Sequence, residues 1–378
     1  MSSKDEILRV RRYFNLSRRD MLRGAAALGA AGALGFGGMR KAAAATDINY
    51  IGWEGYDTFL TGGEFDKAKG YALQKTLISS TDEIITKLRL DSSAVDVCTP
   101  YFVNDDFLAA EGLLAPLDLA QIPNFAKLHP TIKQFAESNM TTDGTWYACP
   151  FTFGSICMLY DSTKIAAPTS WADLMKDEYK GKAAITADYQ GNIFAMARVL
   201  GIANPHHMTR DELAKTTDLL ITLKKKHLKA IAPSYGDLIN MYVNKEIVIS
   251  QGWEPVSTWI GDGTTVKVAY PKEGSSGFIE GYAIGKGSAK SAEAHALINN
   301  ALSLEGQIAG ADLSSIPVVT SEAMEKAGAA NKALYDYTDL EGYFTRKTLV
   351  MEMYPLDEDG EYAIWDDYQE AWEKVLKA

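Results

Sequence analysis

The chain is poor in the residues that metal and redox chemistry need. Three cysteines and five histidines occur in 378 residues. No Cys-x-x-Cys is present, and His129, His206, His207, His227 and His295 form no spaced ligand set with Cys98, Cys149 and Cys157. Zinc sites and thiol redox motifs are thereby excluded, and neither a metal nor another cofactor is expected. The signatures of common enzymes are missing too. After residue 45 there is no Gly-x-Ser-x-Gly, no His-Glu-x-x-His, no phosphate-binding loop and no haem-type Cys-x-x-Cys-His. Asp357-Glu358-Asp359-Gly360-Glu361 lacks the ligand spacing of a calcium loop and reads as a solvated turn. Low-complexity tracts, coiled coils and repeats are absent as well.

Positive charge is scarce beyond the N-terminus. The first 45 residues hold nine of the 38 Lys and Arg but three of the 49 Asp and Glu, which leaves 29 and 46 and a formal charge of −17. Such an acidic surface argues against nucleic acid and anionic membranes as partners, and it does not oppose a cationic ligand.

What is present at the N-terminus is an address. Ser17-Arg18-Arg19-Asp20-Met21-Leu22-Arg23 precedes an apolar, Gly/Ala-rich run over 24–38, then Arg40-Lys41 and four alanines. Basic, apolar, then small residues is the order of a bacterial signal peptide, and the paired arginines read as a twin-arginine signal over 1–45. The run is too short and Gly-rich for a membrane span, which needs about 20 strongly apolar residues. No Cys ends it, so a lipid anchor is not expected. A soluble protein of a Gram-negative periplasm fits, with the twin-arginine export machinery as its first partner. In that oxidising compartment an odd cysteine count leaves two readings: a Cys149–Cys157 bridge, or buried free thiols.

The remaining 333 or so residues exceed what one core usually serves, so two lobes are expected. A strand over 48–52 is followed by a helix opened by the capping pair Ser80 and Glu83. A buried strand over 95–98 and a helix over 103–110, stopped by Gly112, come next. Strand-helix alternation predicts a largely parallel sheet covered on both faces. The aromatic stretch 146–160, interrupted by Pro150 and Gly154, suits a crossing between lobes better than one strand. Beyond it lie a helix from Ser170, a strand over 183–186, a helix over 192–200 and an amphipathic helix over 210–226 with a basic last turn. Strands over 247–250 and 266–270, a return crossing over 278–284 and a helix over 292–304 complete the pattern, with the rest mainly helical. The expected lobes are 46–149 plus 279–318, and 150–278 plus 319–378. Ligands in such folds sit at the carboxyl ends of the strands.

Gly52-Trp53-Glu54-Gly55-Tyr56, Asp96-Val97-Cys98-Thr99-Pro100-Tyr101-Phe102-Val103, Ser170-Trp171-Ala172-Asp173-Leu174 and Glu178-Tyr179-Lys180-Gly181 occur in this order. So do Trp253, Pro271-Lys272-Glu273-Gly274 and Phe278-Ile279-Glu280. At these residues the chain resembles the spermidine/putrescine-binding branch of the type 2 periplasmic binding proteins. The resemblance covers most of the chain after the leader. It implies an α/β fold of two lobes, each a mainly parallel sheet flanked by helices, joined by hinge crossings. It also implies a monomer that closes on a small amine and hands it to the permease subunits of an ABC importer, and no enzymatic activity. Trp53, Tyr56, Tyr101, Trp253 and Phe278 are the implied ligand walls, and Asp188 and Glu280 the implied carboxylates; Asp188 also reads as a helix cap. Trp146 and Trp171 read as core.

Three departures bear on the ligand. The family sets a second carboxylate three or four positions beyond Asp188, where this chain has Gly191-Asn192. Its Tyr before Pro is Ile316 here, and its Trp before the crossing carboxylate is Phe278. Fewer acids imply fewer ammonium groups, or an amine that also carries an anion. The rival readings are an opine, aminophosphonate, betaine-like osmolyte or sugar in the same fold, and an exported enzyme. An anionic ligand calls for a cleft arginine, and Arg89 and Arg198 both fall on predicted helices.

Overall fold

Two long strands form the spine of the molecule. In the computed structural model, which describes residues 45–78, 81–261 and 265–378, twelve strands occur. They are β1 (Thr46–Gly52), β2 (Tyr71–Leu77), β3 (Val97–Cys98), β4 (Thr141–Thr142), β5 (Thr145–Trp146), β6 (Ala148–Asp161), β7 (Ala183–Thr186), β8 (Leu228–Ala232), β9 (Ile249–Trp253), β10 (Val266–Ala269), β11 (Ser275–Ala283) and β12 (Thr348–Val350). All but the small β4–β5 pair belong to one mixed sheet of order β2-β1-β3-β11-β6-β9-β7-β8, with β10 on β6 and β12 on β11. The wings are parallel: β2, β1 and β3 at one end, β9, β7 and β8 at the other. The centre, β3-β11-β6-β9, is antiparallel. Residues Thr46–Ala378 make one compact unit.

β11 is buried along its whole length and β6 along all but its last residue. That is the burial expected of strands covered on both faces. The helices that cover the sheet include α1 (Thr81–Asp91), α2 (Pro130–Met140), α3 (Tyr189–Val199), α4 (Arg210–Lys226), α5 (Tyr235–Val243), α6 (Ser291–Ala301), α7 (Leu304–Ser314) and α8 (Trp365–Lys377). α4 has the bounds its sequence predicts, because its ends are self-specified. Thr209 and Glu212 form a reciprocal capping box, and Lys224, Lys225 and Lys226 complement the negative C-terminal end.

Four expectations change. The stretch 146–160 is not interrupted at Pro150 and Gly154: both lie inside the single strand β6. Pro150 pairs with Gly281 at a register shift between Glu280 and Gly281, and a bulge is where a strand tolerates a residue without an N–H. The Cys149–Cys157 reading fails, and all three cysteines are buried free thiols. Eight steps along one strand separate the two by about 26 Å, whereas a bridge needs Cα atoms about 6 Å apart. The C-terminal region also holds a strand, β12, and an irregular stretch over 351–364 before α8. Ser170 does cap, but it opens a 3-10 turn over Trp171–Met175 rather than a helix. Trp146 and Trp171 are core. The leader lies outside the described residues, as does Ser80; α1 nevertheless starts at Thr81. No helix among the described residues is long and apolar enough to cross a membrane.

Candidate functional site

Strand direction creates the site. β3 runs towards β6 and stops at Cys98, level with Ala283 of β11 and thus with Ala148 of β6. β9 runs the opposite way and stops at Trp253, level with Ile156 of β6. The carboxyl ends of the two parallel wings therefore face each other across eight residues of β6, about 26 Å of strand. Among the described residues, only β6 and β11 continue through that interval. Phe278 and Glu280 lie within it, opposite Gly154 and Thr152. Trp53 follows β1, Tyr101 follows β3, Asp188 follows β7 and Trp253 ends β9, where open α/β sheets place ligands.

Aromatic rings fill the interval. Trp253 is 5% exposed and sits at the centre of a cluster. It meets Tyr56 edge-on at 6.0 Å, Trp259 edge-on at 5.5 Å, Tyr235 at 6.0 Å and Phe278 at 6.2 Å. The floor is Gly154, where a Cβ would stand 2.6 Å from both the Phe278 ring and the Trp253 indole nitrogen. Tyr101 donates its hydroxyl proton to the sulfur of Met351, which lines a cavity of about 340 Å³ between α2 and the stretch after β12. Trp53 makes no ring pair with these groups among the described residues. Its backbone N–H donates to Thr99 at 3.4 Å.

One carboxylate comes from the centre of the sheet, Glu280 of β11, and one from the end of a wing, Asp188 after β7. Glu280 is 2% exposed, Oε2 has no hydrogen-bond partner among the described residues, and burial pushes its carboxyl well above the usual range. Asp188 caps α3 by accepting from the Gly191 N–H at 3.2 Å. Burial pushes it up to about 6 against the pull of the Gly191 and Gln190 N–H groups. Tyr101 feels both: burial first, then the charges of Asp188 and Glu280, raise its hydroxyl. Tyr56 lies in the field of Glu280 and Tyr235 in that of Asp188. Asn192, in place of a second acid, donates to the Thr186 carbonyl at 2.8 Å and to the Asp188 carbonyl. The indole N–H groups of Trp53 and Trp253 are buried and unpartnered among the described residues. Arg198 is spent on the carbonyls of Glu273, Ile202 and Ala203, and Arg89 on Glu111.

Six of the seven predicted residues are thus linked through ring contacts or shared electrostatics, and Trp53 borders the same interval. Sequence reasoning missed Tyr235 and Trp259 from the ring cluster. Tyr235 opens α5 three residues after a strand that the sequence did not signal, so its placement had no pointer. Trp259 had one: it stands six positions after Trp253, at the end of the short helix Val256–Trp259. Glu254 was also missed. It is fully buried and accepts from the Ser155 N–H at 3.0 Å and the Tyr343 hydroxyl at 2.8 Å, which fixes the end of β9 beside Trp253.

Residues 63–336 match the family described as bacterial extracellular solute-binding protein, and residues 15–35 match the twin-arginine translocation pathway signal sequence. The chain is 28% identical over 282 residues to the spermidine/putrescine-binding periplasmic protein of Escherichia coli K12, covering 71% of this chain and 77% of the relative. Among solved structures it is similar to a Listeria monocytogenes protein assigned to a spermidine/putrescine ABC transporter, with a TM-score of 0.75, 18% identity and coverage of 88% and 98%. A lipoprotein of Treponema pallidum is comparable, with a TM-score of 0.74, 18% identity and coverage of 87% and 99%. At these identities the structural likeness shows the two-lobed fold.

Proposed function

The chain belongs to the bacterial extracellular solute-binding protein family, and from that premise we propose that it captures a small amine between its lobes for an ABC importer. Its leader sends it by the twin-arginine route to the periplasm. It acts by binding without turnover, as a monomer, and delivers its cargo to cognate permease subunits. The lobes are 46–149 with 279–318 and 150–278 with 319–378. Both crossings then fall inside β6 and β11, the only strands among the described residues that span the interval between the wings.

One observation carries this reading: the buried Glu280 carboxylate, lacking a partner on Oε2, beside a wall of rings. An ammonium that leaves water needs a carboxylate or a ring face in exchange. Glu280 supplies the first. Trp253, Tyr56 and Phe278 supply the second and pack against methylenes, and a cation over such a ring gains about 0.5–2 kcal/mol. Asp188, from the opposite wing, is placed for a far cationic group.

A second reading has its own support. The unpartnered indole N–H groups of Trp53 and Trp253 are donors, and an ammonium, itself a donor, cannot satisfy them. A zwitterionic amine brings an acceptor that can. Titration calorimetry with putrescine, spermidine, a zwitterion of putrescine's length, a betaine and a sugar decides between them. Putrescine or spermidine is expected to bind tightest. Glu280→Ala is expected to weaken that binding by about 2–5 kcal/mol and to leave any sugar binding unchanged. Amine affinity untouched in that variant removes Glu280 from the site.

A further inference from the structure

One hydrogen bond joins the two wings beside the ring cluster. The short helix Val256–Trp259 follows β9, in the second wing. Ser257 donates its N–H at 3.1 Å and its hydroxyl at 2.7 Å to the Glu254 carbonyl, and the Trp259 N–H donates to the Pro255 carbonyl at 3.1 Å. Glu254 in turn accepts from the Ser155 N–H of β6 at 3.0 Å. Trp259 is thereby fixed to the end of the strand that carries Trp253. Its ring meets the Trp253 ring edge-on with centroids 5.5 Å apart, and its indole N–H donates to the Ser314 carbonyl at 2.8 Å.

Ser314 belongs to the other wing. It is the last residue of α7, which packs on the helix Asp57–Leu60 beyond β1 and on the turn Gly62–Glu64. That packing is close: a Cβ on Gly62 would stand 2.4 Å from the Gly306 Cα, and one on Gly310 2.3 Å from the Phe59 ring. α7 therefore moves with the first wing. Ser315, in the left-handed conformation at φ 54°, ends the helix. The last carbonyls of a helix lack partners within it and carry partial negative charge. Ser314 thus offers an acceptor that a neutral N–H takes without burying a charge. Its hydroxyl oxygen also lies 3.4 Å from where a Cβ on Gly55 would stand, in the turn after Trp53.

We propose that Trp259 is a positioning residue for capture: its indole N–H latches the second wing to α7 of the first when the interval closes, and so sets how long a ligand is held. This rests on the reading of the wings as closing lobes, and not on the ligand being an amine. The bond spans both wings, so separating them breaks it and returns donor and acceptor to water. It therefore adds to the closed arrangement alone. Trp259 touches the wall residue Trp253 and the far wing at once, which joins the ring cluster to the closing contact. The latch slows release of whatever the interval holds. Selection among ligands stays with Glu280 and the rings that face them.

The test is rapid-mixing kinetics of Trp259→Phe, which keeps a ring beside Trp253 and removes the N–H. Trp53 and Trp253 remain as emission reporters. The probes are putrescine and spermidine, or whichever compound of the calorimetric series above binds the wild type. Release is expected to quicken about three- to tenfold, the worth of one hydrogen bond, by the same factor for every compound. Association is expected to change by less than about twofold. A merely structural role would lower the melting temperature without that split between release and association. Unchanged release overturns the proposal, and so does a loss confined to association. Unequal factors for putrescine and spermidine overturn it as well, because they make Trp259 a ligand contact. A wild type that holds a sugar or betaine but no amine overturns the function proposed above, and the release factor for that compound then judges the latch. A wild type that binds none of the series overturns both.

Discussion

Glu280 shows how a single residue trades stability for binding. Its carboxyl is buried and lacks a partner on Oε2, so folding favours its protonated form and its folded-state value lies well above the usual one. The stability this group contributes is then fully present below the ordinary carboxylate range. It is lost as pH rises from there through the raised folded-state value. Glu280→Gln removes the titration. Ligand-free Glu280→Gln is expected to gain about 1–3 kcal/mol over the wild type near neutral pH, and little in mild acid, as measured by urea unfolding at both. An equal effect at both pH values contradicts the unpartnered carboxylate. Asp188 behaves in the same sense over a lower window, from the ordinary aspartate range to about 6. The sequence could single out Glu280 and Trp253 through the family resemblance, because Trp253 follows a predicted strand and Glu280 is a charge inside an apolar crossing. It could not single out Asp105, which reads as an ordinary acid in a helix's first turn. Only tertiary packing buries it, its helix lying against α2 and β4.

Among the elements, β6 shows most clearly why local reading stops short. Pro150 and Gly154 are strand breakers by composition, yet both serve the strand. Pro150 occupies the bulge opposite Gly281. Gly154 leaves the room that Trp253 and Phe278 occupy. Gly154→Ala places a methyl group 2.6 Å from both rings. It is expected to cost about 1–3 kcal/mol of stability and to weaken ligand binding further, because the rings that move line the site. Melting temperature and calorimetry of the variant check this, and unchanged binding would mean that the ring cluster lies away from the ligand. The elements that were legible carry their own end signals, as α4 does with Thr209, Glu212 and three lysines. Those that were not, β2, β8 and β12 among them, are exposed along part of their length. None of these three shows the continuous apolar run or clean alternation that marks a strand.

For the whole molecule, the contacts across the interval describe a closed arrangement. Tyr56, beyond β1, touches Trp253 at the end of β9, and the Trp259 indole N–H donates to the Ser314 carbonyl of α7 at 2.8 Å. A ligand held by both wings favours this arrangement by its differential affinity for it. Solution scattering of the exported chain, without its leader, is expected to show a smaller radius of gyration with a bound amine than without. Tryptophan emission should change in parallel. At a free ligand concentration of 100 times Kd, the added stability should be about 2.7 kcal/mol. An unchanged scattering curve with calorimetrically bound ligand argues against lobe closure.

The sequence by itself determined the export address, the acidic surface, the absence of metal and redox motifs, the α/β class and the order of aromatic and acidic positions along the chain. Each is a local or additive property, written in neighbouring residues or in their sum. The tertiary structure decided which way the two wings run, and so that their carboxyl ends meet. It decided that Tyr235 and Trp259 join the ring cluster and that Asp105 is buried. These facts depend on pairings between residues far apart in the chain, most of all β6 with β11. Strand register and burial are properties of two segments at once, and neither segment alone carries them.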